Sequence, residues 1–256
     1  MRIQNGYGPL RRIYVRAPRE EDTANWEAYG WHERPDPVAA AAEHERLRLT
    51  LAATGAEVIL GATPVPGDPD AIYAYDPALP TDRGVILLRP GKQGRRSEPA
   101  ALGLDLAEAG LEVIATLEDP ATAEGGDMFF LDERTLLVGV GYRTNTSAVK
   151  GLRELLGPHG VEVVAFDLPH FHGPVECLHL MSFISPLDAD LVVGYLPMMP
   201  TRLVQLLEHR GIRIVEVPDE EFPTMGPNVL ALGPREDRDP ALLRACRAPR
   251  DRGPPG

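Results

Sequence analysis

The chain has 256 residues, 43% of them hydrophobic and 25% charged, enough to bury a sizeable core as one large or two small domains and unlike a fibrous or wholly disordered polymer. Its 38 acidic against 26 basic residues give a formal charge of -12, which argues against a nucleic-acid-binding surface or a polybasic membrane patch and favours a small cationic partner. Two cysteines, Cys177 and Cys246, are too few for a disulfide framework, and no apolar run suits a signal peptide or a membrane span, so a cytoplasmic protein with reduced thiols is expected.

In chain order, residues 12–16 carry β-branched and aromatic side chains closed by Pro18 and are predicted as a strand. Residues 20–36 gather Trp26, Tyr29, Trp31 and His32 among acidic and turn-forming neighbours. Rings concentrated in a loop fit either a lid over a site or a loop pinned to the core. Asp36 followed by Pro37 starts an amphipathic helix that Gly55 stops, and residues 56–60 form a strand before a turn-rich linker at 64–69.

A pattern then repeats. Residues 72–79 and 84–89 read as strands, 98–109 as a helix and 112–117 as a strand. The same order returns at 128–131, 135–140, 145–156 and 161–166, and again at 178–184, 191–195, 201–210 and 212–217; a fifth copy opens at 228–232. A strand, strand, helix, strand unit recurring every 50 to 60 residues or so marks a repeat architecture, in which each copy buries its apolar face on its neighbours. Such units can close into a ring with polar residues of several copies at one central mouth. An ordinary doubly wound sheet is the alternative, although no Gly-rich phosphate turn follows the first strand. Residues 1–235 are expected as a single domain, and the Arg- and Pro-rich 236–256, with no Val, Ile, Thr, Phe, Tyr or Trp, as a largely disordered tail.

Several polar residues interrupt the strand patterns at similar points of the repeat: Asp76, the pair Arg95 and Arg96, Glu124 with Asp127, Arg143 and His179. The stretch 124–145 is the densest, with Glu-Gly-Gly-Asp at one end and Arg-Thr-Asn at the other. Singly, each has a bland reading as a turn residue or a solvated charge.

Together, Asp76 in Tyr-Ala-Tyr-Asp-Pro-Ala, Glu-Gly-Gly-Asp at 124–127, Gly-Tyr-Arg-Thr-Asn at 141–145 and Leu-His-Leu-Met-Ser-Phe at 178–183 resemble the guanidino-group modifying enzymes: dimethylargininases, arginine deiminases and amidinotransferases. The resemblance covers most of the chain to about Pro234. It implies a five-bladed α/β propeller, here with an incomplete last blade, that hydrolyses a C–N bond of a guanidino compound through a covalent thiol intermediate. The chemistry suits the residue types, because a guanidinium carbon is a poor electrophile until carboxylates orient its planar cation and a strong nucleophile attacks. By resemblance, Asp76 clamps the guanidinium and Asp127 joins the substrate-binding set. His179 protonates the departing amine and then activates water, Glu124 orients the imidazole, and Arg95 or Arg96 and Arg143 hold a substrate carboxylate.

Two positions depart from the family pattern. Met181 stands where arginine deiminases carry an aspartate, which favours a substituted guanidine of the dimethylarginine kind. The nucleophilic cysteine should lie near the C-terminus, where Cys246 is the one cysteine present; Cys177, two residues before His179, has packing as its better prior. Neither a cofactor nor a metal is implied. The alternatives are an amidinotransferase, a non-catalytic guanidino-compound binder, and a zinc hydrolase using His170, His172, Glu176, Cys177 and His179. An unfinished fifth blade leaves room for completion by a partner chain, hence a possible homodimer.

Overall fold

The computed structural model describes residues 3–176 and 178–234; Cys177, Cys246 and the tail beyond residue 234 therefore lie outside the described residues. The first sheet is built around a crossover. Strand β1 (Arg12–Val15) is followed by a short helical turn α1 (Glu20–Thr23), helix α2 (Pro37–Ala52) and strand β2 (Glu57–Leu60), which pairs in parallel with β1. Asp36 caps α2 by accepting from the Ala39 amide at 2.8 Å, and Pro37 takes the first helical position, where no amide donor is needed. The amphipathic character expected of α2 is absent. Leu51 is its one buried residue, while Val38, Leu47 and Leu49 stay 78%, 49% and 54% exposed. Four successive alanines supply most of its apolar positions, and the sheet beneath offers two strands among the described residues.

Three copies of one unit follow. The first comprises β3 (Ala78–Thr81), β4 (Gly84–Leu87), α3 (Glu98–Glu108) and β5 (Val113–Thr116). The second comprises β6 (Met128–Asp132), β7 (Thr135–Val140), α4 (Thr146–Leu156) and β8 (Glu162–Asp167). The third comprises β9 (Ile184–Asp188), β10 (Leu191–Gly194), α5 (Thr201–His209) and β11 (Arg213–Glu216). In each, the first strand is antiparallel to the second, and the strand after the helix returns parallel to the second. The middle strands are apolar on both faces because each is covered on both sides.

Burial in the second unit shows how the copies are joined. Leu136 and Val138 pack with Ile86 and Leu88 of the preceding unit, whereas Leu137 and Phe129, on alternate positions, pack with Phe183, Ile184 and Leu203 of the next. All of β7 from Leu136 to Val138 is fully buried. Helix α4 is fixed at its start by Asn145, whose Oδ1 accepts from Ala148 at 2.9 Å and Thr122 at 3.2 Å while Nδ2 donates to the Pro120 carbonyl at 2.8 Å. Asn145→Ala is expected to cost about 1 kcal/mol, read as a lower urea midpoint at unchanged slope.

Three sequence expectations need correction. Residues 72–76 are not strand: a 3-10 turn ends at Ile72 and β3 begins at Ala78. Residues 178–183 form a 3-10 turn at Leu180–Ser182 before β9 instead of a strand. At 72–76 the Tyr73 and Asp76 amides turn back onto the carbonyls of Asp70 and Tyr73, and at 178–183 the Leu180 amide is diverted to the Asp127 carboxylate. Residues 228–232 carry no strand, and the Val229 amide bonds to Ser185 Oγ at 3.2 Å. No helix among the described residues is long and apolar enough to cross a membrane.

Candidate active site

The segments that enter β3, β6 and β9 bring Asp76, Glu124, Asp127 and His179 together, and the segments that leave β4 and β7 add Arg95 and Arg143. The Gly-Gly pair explains how close they come. A Cβ on Gly125 would sit 2.0 Å from the Tyr75 carbonyl oxygen, and one on Gly126 would sit 2.7 Å from Cδ2 of His179. Glycine there lets the chain pass directly under the imidazole ring. The Gly126 amide then donates to Asp76 Oδ1 at 2.8 Å, and the Gly125 amide donates to the Asp76 carbonyl at 2.9 Å. The Gly125 donor, some fifty residues distant in sequence, occupies a carbonyl that a strand over 72–79 would have needed.

His179 is held from both ring nitrogens. Its Nδ1 lies 3.1 Å from Asp127 Oδ1, and its Nε2 lies 3.4 Å from Glu124 Oε2 and 3.9 Å from Asp76 Oδ1. Asp127 is fixed in turn: Thr144 Oγ1 donates to its Oδ2 at 2.6 Å and the Leu180 amide to its Oδ1 at 3.1 Å. That amide bond breaks the expected strand at 178–184. Asp127 thus lies fixed against Nδ1 of the imidazole.

Glu124 is completely buried. It accepts from the Lys92 amide at 3.1 Å and faces Arg143 Nη1 at 3.2 Å and Arg95 Nη1 at 3.8 Å. Burial alone would raise its carboxyl, but the hydrogen bond from His179 and the charges of Arg143, His179 and Arg95 prevail and hold it down at about 2. Asp76 accepts from Arg95 Nη1 on Oδ2 at 2.7 Å. Both arginines therefore pair with the carboxylates of the site. Arg96 is not brought in: it is exposed and donates to the Pro90 carbonyl at 3.4 Å. Met181 packs against the apolar cluster around Phe183 and Leu203.

Asp70, Lys92 and Glu98, which sequence reading did not single out, adjoin these residues. Lys92 Nζ contacts Asp70 Oδ2 at 2.6 Å, and Glu98 forks Arg95. Only the Arg95–Glu98 spacing at the start of a helix offered a signal. The aromatic segment packs over these residues, with Trp31 Nε1 donating to Asp70 Oδ1 at 2.7 Å, Tyr29 Oη to the Gly94 carbonyl at 3.0 Å, and Lys92 over the Tyr29 ring at 4.7 Å.

Among the described residues, the one cluster of ligand type suited to a metal ion is Asp76, Glu124 and His179, with ligand atoms within 4.8 Å of each other. His170, His172 and Glu176 do not join it; His170 Nδ1 meets Tyr142 Oη at 2.6 Å. The alternative zinc cluster is thus not assembled from His170, His172, Glu176 and His179, and its remaining member, Cys177, lies outside the described residues. The three donors that do meet already face two guanidinium groups of the protein.

Comparison with known proteins follows the same direction. The family model "N,N dimethylarginine dimethylhydrolase, eukaryotic" matches residues 27–248. N(G),N(G)-dimethylarginine dimethylaminohydrolase of Streptomyces coelicolor is 29% identical over 94% of this chain and 84% of its own. The enzyme of the same name from Pseudomonas aeruginosa is 25% identical over 73% of this chain and 69% of its own. Among solved structures, the N-terminal domain of the cyanobacterial arginine dihydrolase ArgZ, bound to substrate, superposes with a TM-score of 0.71 at 24% identity, covering 85% of this chain and 79% of that one. DDAH from Pseudomonas aeruginosa, complexed with citrulline, gives 0.64 at 21% identity, covering 83% and 78%. At these identities the two structures speak for the α/β fold.

Proposed function

The chain belongs to the N,N-dimethylarginine dimethylhydrolase family, and from that premise we propose that it hydrolyses the C–N bond of a dimethylarginine-like guanidino compound through a covalent thiol intermediate. The observation that carries the site assignment is His179 suspended between Asp127 at 3.1 Å and Glu124 at 3.4 Å, with Asp76 at 3.9 Å. An imidazole so placed can deliver a proton at Nε2 into a pocket whose walls are carboxylates.

The substrate guanidinium takes Asp76, and a thiolate attacks its central carbon. As the C–S bond forms and the C–N bond breaks, the departing amine takes a proton from His179 Nε2. The neutral imidazole then removes a proton from water, hydroxide adds to the same carbon, and the C–S bond breaks to release the thiolate and a urea-type product, whose hydroxyl proton passes to the freed amine or solvent. Asp127 keeps Nδ1 protonated and the ring in place, and Glu124 stabilises the imidazolium between the two steps. Arg143, half-buried at the edge, is assigned the substrate carboxylate. Arg95, 2% exposed and bonded to Asp76 and Glu98, works on Asp76 instead.

Cys246 is the proposed nucleophile, and the family match, which runs through residue 248, supports it. The four sheets are read as blades of a five-bladed α/β propeller. Support comes from the recurrence of one unit three times and the likeness to the ArgZ domain.

The test is intact mass and peptide mapping after treatment with a guanidine-like haloacetamidine. Rapid alkylation of Cys246, suppressed by a dimethylarginine-like compound, is expected. Labelling at Cys177 under the same protection would move the nucleophile there, and labelling of neither above the rate of a free thiol would refute the covalent mechanism and favour a non-catalytic binder.

A further inference from the structure

Glu98 and Asp68 have no part in the steps above, yet both are buried against them. Glu98 opens α3 and is 3% exposed; it accepts from Arg95 Nε at 2.5 Å on one oxygen and from Nη2 at 2.9 Å on the other. Nη1 of the same guanidinium reaches Asp76 Oδ2 at 2.7 Å. One arginine is thus divided between two carboxylates, and whatever holds it on one side sets how firmly it holds the other.

Asp68 stands behind Glu98. It is 2% exposed, its Oδ1 accepts from the Asp70 amide at 3.0 Å, and its Oδ2 is buried without a donor. The Asp68 side chain meets that of Glu98 instead. Two carboxylate oxygens bond to one another only through a proton. Burial pushes Glu98 up to about 8 against the pull of Arg95, with Asp68 and Asp76 adding to the rise. Burial raises Asp68 too, against the bond to Glu98 and the charge of Arg95. The other charged and titratable groups around the pair are Asp70, Asp76, Lys92 and Tyr29.

On the reading of this site as a guanidino hydrolase, we propose that Glu98 is a positioning residue that shares one proton with Asp68 and, in that protonated state, holds Arg95 so that Nη1 orients Asp76 toward the substrate. Release of the proton to solvent places a second negative charge behind Arg95. The guanidinium is then drawn onto Glu98 and off Asp76, and substrate binding weakens.

Infrared difference spectra report the proton without any substrate. Between about pH 7 and about pH 9, on either side of the titration, wild type is expected to lose a protonated-carboxyl band, and Glu98→Gln and Asp68→Asn each to abolish that loss. Kinetics report the positioning. Over the same range the wild-type KM should rise about tenfold with kcat within about twofold. Glu98→Gln, which keeps the shape of the protonated acid, should hold the low KM throughout, and Glu98→Ala should show the high KM throughout. Absence of the band in wild type, or an undiminished rise of KM in Glu98→Gln, overturns the proposal. A band that behaves as expected in a protein without turnover leaves the shared proton standing and overturns the hydrolase reading instead.

Discussion

His179→Ala is expected to lower kcat by a factor on the order of 10²–10⁴, the range a positioned general acid–base contributes, with KM changed by less than about threefold. The split follows from the geometry. The cation of the substrate is held by carboxylates, so its affinity survives loss of the ring. Departure of the amine and activation of water both pass through Nε2, which lies 3.4 Å from Glu124 and 3.9 Å from Asp76. His179→Ala should also leave the fold intact, because the Leu180 amide keeps its bond to Asp127. Steady-state kinetics with dimethylarginine, beside a far-ultraviolet circular dichroism spectrum, would check it. A kcat within tenfold of wild type in a folded protein would remove His179 from the proton-transfer role.

How much of this was legible depended on where each backbone amide finds its partner. The strands at 128–132 and 135–140 were plain in sequence because their amides pair with each other and their side chains are apolar on both faces. The helix start at Asp36 was equally plain, since a short polar side chain that bonds three residues ahead is a local device. Residues 72–76 and 178–183 misled because the pattern of apolar residues there does say strand. The Tyr73 and Asp76 amides turn back onto the carbonyls of Asp70 and Tyr73, the Asp76 carbonyl is taken by the Gly125 amide, and the Leu180 amide bonds to the carboxylate of Asp127, the last two across about fifty residues. A local reading cannot see such partners, and they occur where the chain is bent to serve a site.

The site residues divide the same way. His179, Glu124 and Asp76 stood out because each breaks an apolar pattern. Glu98 passed as an ordinary acidic residue in the first turn of a helix, where a carboxylate is expected on dipole grounds alone. Arg96 looked as good as Arg95, yet one is exposed and the other buried in a fork of carboxylates. Which of two adjacent arginines turns inward is decided by the 3-10 turn at Gln93–Arg95, a feature without a sequence signature. For α2 the error was of another kind: the spacing of its apolar residues fits a helix, but spacing does not say whether a core lies beneath.

Glu124→Gln should be costly to stability and activity together. The carboxylate is fully buried and faces Arg143, Arg95 and His179, so its neutral amide would remove a buried negative charge that these cations share, at a cost on the order of 3–5 kcal/mol. Linkage gives a similar size. The carboxyl is held at about 2 in the folded chain against an ordinary 4.5, which corresponds to about 3 kcal/mol of stability at neutral pH. Because the folded value is depressed, that contribution is present above about pH 4.5 and is lost as pH falls toward 2. Wild type and Glu124→Gln should therefore differ most near neutrality, and the gap should narrow by about 2 kcal/mol on going from about pH 6 to about pH 3. Urea unfolding at the two pH values measures it directly. In the same variant the imidazolium of His179 loses the carboxylate nearest Nε2, so the proton needed by the departing amine is held less firmly and kcat should fall by about a hundredfold. A stability gap equal at both pH values would mean that Glu124 acts through shape alone, and the electrostatic account of the Glu124–His179 pair would fail.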